Sequence, residues 1–150
     1  GIGDAALRER LLALYRTLKC FPEVPSALRQ LKDAGFVTAI LSNGSPNMLS
    51  DAVTGSHLGA LVDHVLSVEA VGVFKPHPTV YQLAVDRLGV PASAIAFMSS
   101  NAWDAHAAST FGMRVVWCNR YGQRRERLPG APDREVRSLA ELPSLLTLER

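Results

Sequence analysis

The sequence predicts an α/β fold, a parallel sheet covered by helices on both faces. Three observations carry that prediction. Short, predominantly apolar runs, FVTAIL (36–41), HVLSV (64–68), AIAFM (94–98) and VVWC (115–118), read as strands buried on both sides. Helical patterns of about ten residues separate them, the syntax of βαβ units. Proline and glycine punctuate those helices where a start and a stop are needed. With 150 residues and 47% hydrophobic side chains, the chain can build one domain with a substantial core.

The elements follow in order. DAALRERLLALYRTL (4–18) spaces Leu7, Leu11, Leu14, Tyr15 and Leu18 as an amphipathic helix, with Asp4 as its N-cap. A second helix carries Val24, Leu28 and Leu31 on one face and stops at Gly35, suited to the left-handed position after a helix. The first strand runs into SNGSP (42–46), where Ser45 and Pro46 cap and open a third helix with Met48, Leu49, Ala52 and Val53 inward. After HVLSV, Pro78 opens and Gly89 closes a fourth helix whose core face is Val80, Leu83, Ala84 and Leu88. AIAFM, the helix in WDAHAASTFG (103–112) and VVWC continue the alternation, and EVRSLAELPSLL (135–146) predicts a short strand and a last helix.

Sixteen Lys and Arg against fourteen Asp and Glu give a net charge of +2, which argues for no polyanionic partner. The local cluster RYGQRRER (120–127) lacks an aromatic stacking platform, so no nucleic-acid partner is expected. Cys20 and Cys118 are too few and too far apart for a disulfide framework or a zinc site, which suits reduced thiols and a cytoplasmic location. No apolar run is long enough to span a membrane, and neither a membrane partner nor a leader is expected. His57, His64, His77 and His106 are scattered without metal-ligand spacing, and no G-x-S-x-G elbow is present.

In parallel sheets the chemistry gathers at the carboxyl ends of the strands. That rule selects Ser42, Asn43 and Gly44, then Lys75 in VFKPHP (73–78), then SSNAWDA (99–105). Ser42 and Asn43 offer a hydroxyl, an amide and backbone N–H groups before a helix start, which suits an anion and equally suits a plain capping turn. Lys75 sits in a loop stiffened by Pro76 and Pro78, with no carboxylate within four residues, and can lend a point charge to a substrate or a distant carboxylate. Tyr81 reads as core by base rate.

Taken together and in this order, AILSNGSP, FKPHPTVY and FMSSNAWDA…FGMRVVWCNR resemble the haloacid dehalogenase superfamily, and more specifically its L-2-haloacid dehalogenases. SNG and KP are shared with the superfamily's phosphatases. SSNAWDA discriminates, because those phosphatases read G-D-x-x-x-D here to hold Mg²⁺, whereas this chain keeps only Asp104 of the two acids. The resemblance implies a Rossmann-like parallel sheet flanked by helices over residues 21–150, with residues 1–20 the end of a helical cap. It implies metal-independent hydrolysis of short L-2-haloalkanoates to D-2-hydroxy acids, with no cofactor, 2-haloacid and water as small-molecule partners, and a homodimer.

It also implies roles. Ser42 and Asn43 hold the substrate carboxylate; Lys75 stabilises a nucleophilic carboxylate and the oxyanion of ester hydrolysis; Asp104 orients Lys75, with Ser99 and Asn101 behind it; Trp103 and Asn43 face the departing halide; Tyr81 matches a tyrosine near the site. The family's nucleophilic Asp, in a D-x-x-G-T stretch after a first strand central to the sheet, has no counterpart among Asp4, Asp33, Asp51, Asp63 and Asp86. The expectation is therefore a longer dehalogenase whose nucleophile lies upstream, two unpaired strand edges in the sheet, and poor folding of residues 1–150 alone. A Mg²⁺-dependent phosphatase and a catalytically dead interaction module are the competing readings.

Overall fold

The computed structural model describes residues 3–147. Five parallel-paired strands alternate with six α-helices, each near its sequence-predicted place: α1 Ala5–Leu14, α2 Val24–Asp33, β1 Ala39–Ser42, α3 Pro46–Gly55, β2 His64–Ser67, α4 Pro78–Leu88, β3 Ala96–Ser99, α5 Ala102–Phe111, β4 Arg114–Cys118, β5 Arg134–Val136 and α6 Leu142–Thr147. The punctuation works as its chemistry dictates. Asp4 accepts from the Leu7 N–H and Ser45 from the Met48 N–H at the starts of α1 and α3. Gly89, at φ 67°, ends α4 in the left-handed region that glycine enters without a Cβ penalty.

The strands form two parallel pieces, β1-β2 and β3-β4-β5. Leu41 lies opposite Leu66 in the first, and Ser99 opposite Trp117 in the second. Among the described residues β1 and β3 are not paired with each other, so each presents a bare edge. One apolar layer nevertheless spans both pieces: Tyr81, Leu83 and Ala84 of α4 and Ala102, Ala105 and Ala108 of α5 pack with Leu66, Val115 and Trp117, and with Leu41 and Phe97 at the margin. The opposite face is built by period-two alternation. There Val116, Cys118 and Val136 meet Leu31 of α2 and Leu142 of α6.

Two elements differ from expectation. The first helix ends at Leu14 rather than Leu18 and buries none of its described residues, leaving Leu7, Leu11, Leu12, Leu14 and Tyr15 exposed. β1 begins at Ala39 rather than Phe36. Phe36 instead packs toward α2 and α6, Val37 points to solvent, and Thr38 is tied to Asp63 by its N–H and its hydroxyl.

Candidate active site

The carboxyl ends of β1 and β3 carry the polar residues, and Lys75 bridges them. Its backbone N–H donates to Asn43 Oδ1 at 2.9 Å, just past β1. Its ammonium donates to Asp104 Oδ2 at 2.8 Å, in the first turn of α5. One residue thus ties the two sheet pieces together.

Asp104 is the centre. Its side chain is buried, and a buried carboxylate is tolerated only when paired and hydrogen-bonded. Both oxygens are satisfied: Oδ2 also accepts from the Ser99 hydroxyl at 2.9 Å, and Oδ1 from the Tyr81 hydroxyl at 2.7 Å. Tyr81 is wholly buried, its ring edge-on to Phe97 at 5.8 Å and tilted against Phe111 at 5.7 Å. Burial, then the hydrogen bond to Asp104 and its negative charge, push the phenol far above its ordinary value, so it stays a donor. The base-rate expectation of a core tyrosine holds for the ring, and the hydroxyl adds a polar role. Lys75 lies with its ammonium 5.5 Å from the centre of the Phe97 ring, within cation–π range.

The other expected residues sit at the rim. Ser42 Oγ accepts from the Gly44 N–H at 3.1 Å, and the Ser67 hydroxyl donates to the Gly44 carbonyl at 2.7 Å. A Cβ on Gly44 would come 3.0 Å from a Leu49 methyl, an approach that Leu49 would have to relieve by shifting a few tenths of an ångström. Asn43 is exposed and its Oδ1 accepts from Lys75, so the oxygen is engaged and the amide's two N–H groups are its remaining donors. Asn101 enters the network through its backbone, its N–H donating to Ser99 Oγ at 3.2 Å; its side chain makes no capping bond. Trp103 is exposed and outside the Asp104 network.

Asp104 is the sole carboxylate in the network, both its oxygens are engaged, and an ammonium occupies one side. Among the described residues no group of three or more His, Cys, Asp and Glu could hold a metal ion. Two contributors escaped sequence reasoning: Phe97, on the same face of β3 as Ser99, and Trp117, whose indole N–H donates to the Ser100 carbonyl at 3.2 Å. Both look like ordinary core aromatics in the sequence, although the period-two spacing of Phe97 to Ser99 is a usable signal.

Residues 4–112 match the family model for haloacid dehalogenase-like hydrolases. The chain belongs to that family. Among the dehalogenase-like hydrolases it is 46% identical over 142 residues to the (S)-2-haloacid dehalogenase of Pseudomonas sp. (strain YL), covering 95% of this chain and 61% of that protein. The solved L-2-haloacid dehalogenase RSc1362 superposes with a TM-score of 0.92 at 41% identity, over 98% of this chain and 64% of the other. A solved HAD phosphatase from Thermococcus onnurineus stands further off, at a TM-score of 0.79 and 28% identity, over 93% and 64% of the two chains. The chain thus spans about three-fifths of the length of the curated dehalogenase it matches.

Proposed function

We propose that these residues form the greater part of an (S)-2-haloacid dehalogenase site, acting on short L-2-haloalkanoates without a metal or cofactor. The single observation that carries the reading is Asp104, buried and fully bonded to Lys75, Ser99 and Tyr81 where a phosphatase would need a metal-binding acid pair. In this reading residues 1–20 are the end of a helical cap and residues 21–150 the core. A strand between the bare edges of β1 and β3 brings an aspartate to the free side of Lys75. The whole protein works as a cytoplasmic homodimer.

That aspartate attacks C2 of the substrate from behind the carbon–halogen bond. A C–O bond forms, the C–X pair leaves as halide, and the carbon inverts. Water then adds to the carbonyl of the resulting ester, the oxyanion collapses, and the D-2-hydroxy acid departs with the aspartate regenerated. The Lys75 ammonium lowers the energy of the attacking carboxylate's alignment and of the oxyanion. Asp104, Ser99 and the Asn101 N–H hold that ammonium in place and help to position the water, while Tyr81 locks Asp104 from beneath. Ser42 and the amide of Asn43 take the substrate carboxylate, and Asn43 with the Trp103 indole faces the halide.

The test is chloride release from L-2-chloropropionate by the complete gene product in EDTA. Undiminished turnover supports the reading. Phosphate release from phosphate esters that requires Mg²⁺ would replace it with the phosphatase, and no turnover of any haloacid would leave the interaction module.

A further inference from the structure

Trp117 lies near the carboxyl end of β4, 1% exposed, as the register partner of Ser99. A buried indole N–H needs an acceptor, and this one takes the Ser100 carbonyl at 3.2 Å. The choice of acceptor is informative, because the Ser100 peptide is where the chain leaves β3 and bends into α5. Ser99, just before it, donates to Asp104 at 2.9 Å; Asn101, just after it, donates its N–H back to Ser99 Oγ at 3.2 Å. Those two bonds are local to the turn and to the helix it opens. The bond from Trp117 comes from a neighbouring strand.

Ser100 is therefore held from β4 while its two neighbours hold the site. We infer that Trp117 is a positioning residue for the proposed dehalogenation: its N–H fixes the Ser100 peptide, which sets the Ser99 hydroxyl on Asp104, which in turn aligns Lys75. The kinetic half of this inference rests on the dehalogenase reading. A misplacement on the order of 1 Å at a reacting group can cost as much as 10²-fold in rate, so one peptide turned away from its acceptor position is enough to register. Binding of the substrate carboxylate lies on the β1 side and is untouched, so the effect falls on kcat rather than KM.

The experiment replaces Trp117 in the complete gene product with 3-benzothienylalanine, which keeps the ring shape and lacks the N–H, and compares it with Trp117→Phe and with Val115→Ala as a packing control on the same face of β4. Three quantities are measured: kcat and KM for L-2-chloropropionate, amide exchange at Asn101, and Tm. For the isostere we expect kcat to fall about tenfold, KM to stay within about twofold, Tm to remain near that of the unsubstituted protein, and exchange at Asn101 to quicken. Val115→Ala should lower Tm and leave kcat in place, and Trp117→Phe should combine the two effects. Unchanged exchange at Asn101 in the isostere overturns the inference, as does faster exchange with unchanged kcat. If the unsubstituted protein releases no halide, the dehalogenase reading falls and the exchange rate alone decides whether Trp117 sets the turn.

Discussion

The two pieces of the sheet are finished to different degrees. Around β3-β4-β5 both faces are covered, and every polar group that meets Asp104 is buried or half-buried and already bonded. Around β1-β2 the covering is thinner: Val65 is exposed, and Leu18, Cys20, Ile40, Leu49, Ala52 and Val53 line an open apolar groove. Ser42 and Asn43, at the carboxyl end of β1, engage only their side-chain oxygens in the bonds described, as acceptors for the Gly44 and Lys75 N–H groups. One side is preorganised and the other is receptive, and Lys75 joins them. This is the division of labour a site needs when one half must hold a fixed charge and the other must accept a substrate.

The largest break in that comparison comes from Lys75→Ala. It removes the bridge, leaves the buried Asp104 carboxylate without its cation, and should abolish halide release by at least about 10³-fold. Losing one partner of a buried pair should also lower the unfolding free energy by ~3 kcal/mol, read by urea denaturation of the complete gene product. Next comes Tyr81→Phe, which deletes one hydrogen bond to a charged acceptor while keeping the ring. A loss of about 1.5–3 kcal/mol is expected in urea, with a fall in kcat of about tenfold. Asn43→Ala, on the receptive side, should act mainly on KM, raising it by roughly tenfold, with kcat less affected.

The same contrast appears in pH. Tyr81 has a folded-state value far above its ordinary 10.0, so the folded protein holds a proton that the unfolded chain releases. Its stabilising contribution is complete below about pH 10 and declines as pH rises beyond it, and Tyr81→Phe should flatten that alkaline limb. Asp63 on the β1-β2 side runs the other way. The Lys32 ammonium, then the Thr38 N–H, hold its carboxyl at about 2, below the ordinary 3.8. Its contribution is present above pH 3.8 and is lost as pH falls toward 2. Asp63→Asn should give the smallest effect of the set, a shallower acid limb, because the carboxylate is solvent-screened.

Much of the fold was legible because local chemistry and the global pattern agree. Pro78 and Gly89 bound α4, Ser45 caps α3, and the apolar runs became strands, covered on both faces around β3-β4-β5 but not around β1-β2, where Val65 is exposed. The boundaries missed were those decided by tertiary contacts: Thr38 is fixed by Asp63, 25 residues away, and α1 ends at Leu14 with none of its described residues buried. Within the site, strand-end reasoning selected Ser42, Lys75 and the Ser99–Asp104 stretch, yet the pairing of Lys75 with Asp104 spans 29 residues and no spacing rule announces it. The family resemblance supplied that pairing. Phe97 and Trp117 stayed hidden because a buried aromatic reads as core until its neighbours are known.

The central claim is that Lys75 and Asp104 serve a carboxylate nucleophile. A single turnover of L-2-chloropropionate in H₂¹⁸O, with the complete gene product in excess over substrate, tests it most directly. The expected product is D-lactate whose hydroxyl carries no ¹⁸O, the label being left on the protein carboxylate that formed the ester. Lactate labelled at its hydroxyl in that first turnover would mean that water attacks the substrate directly, and would contradict that claim.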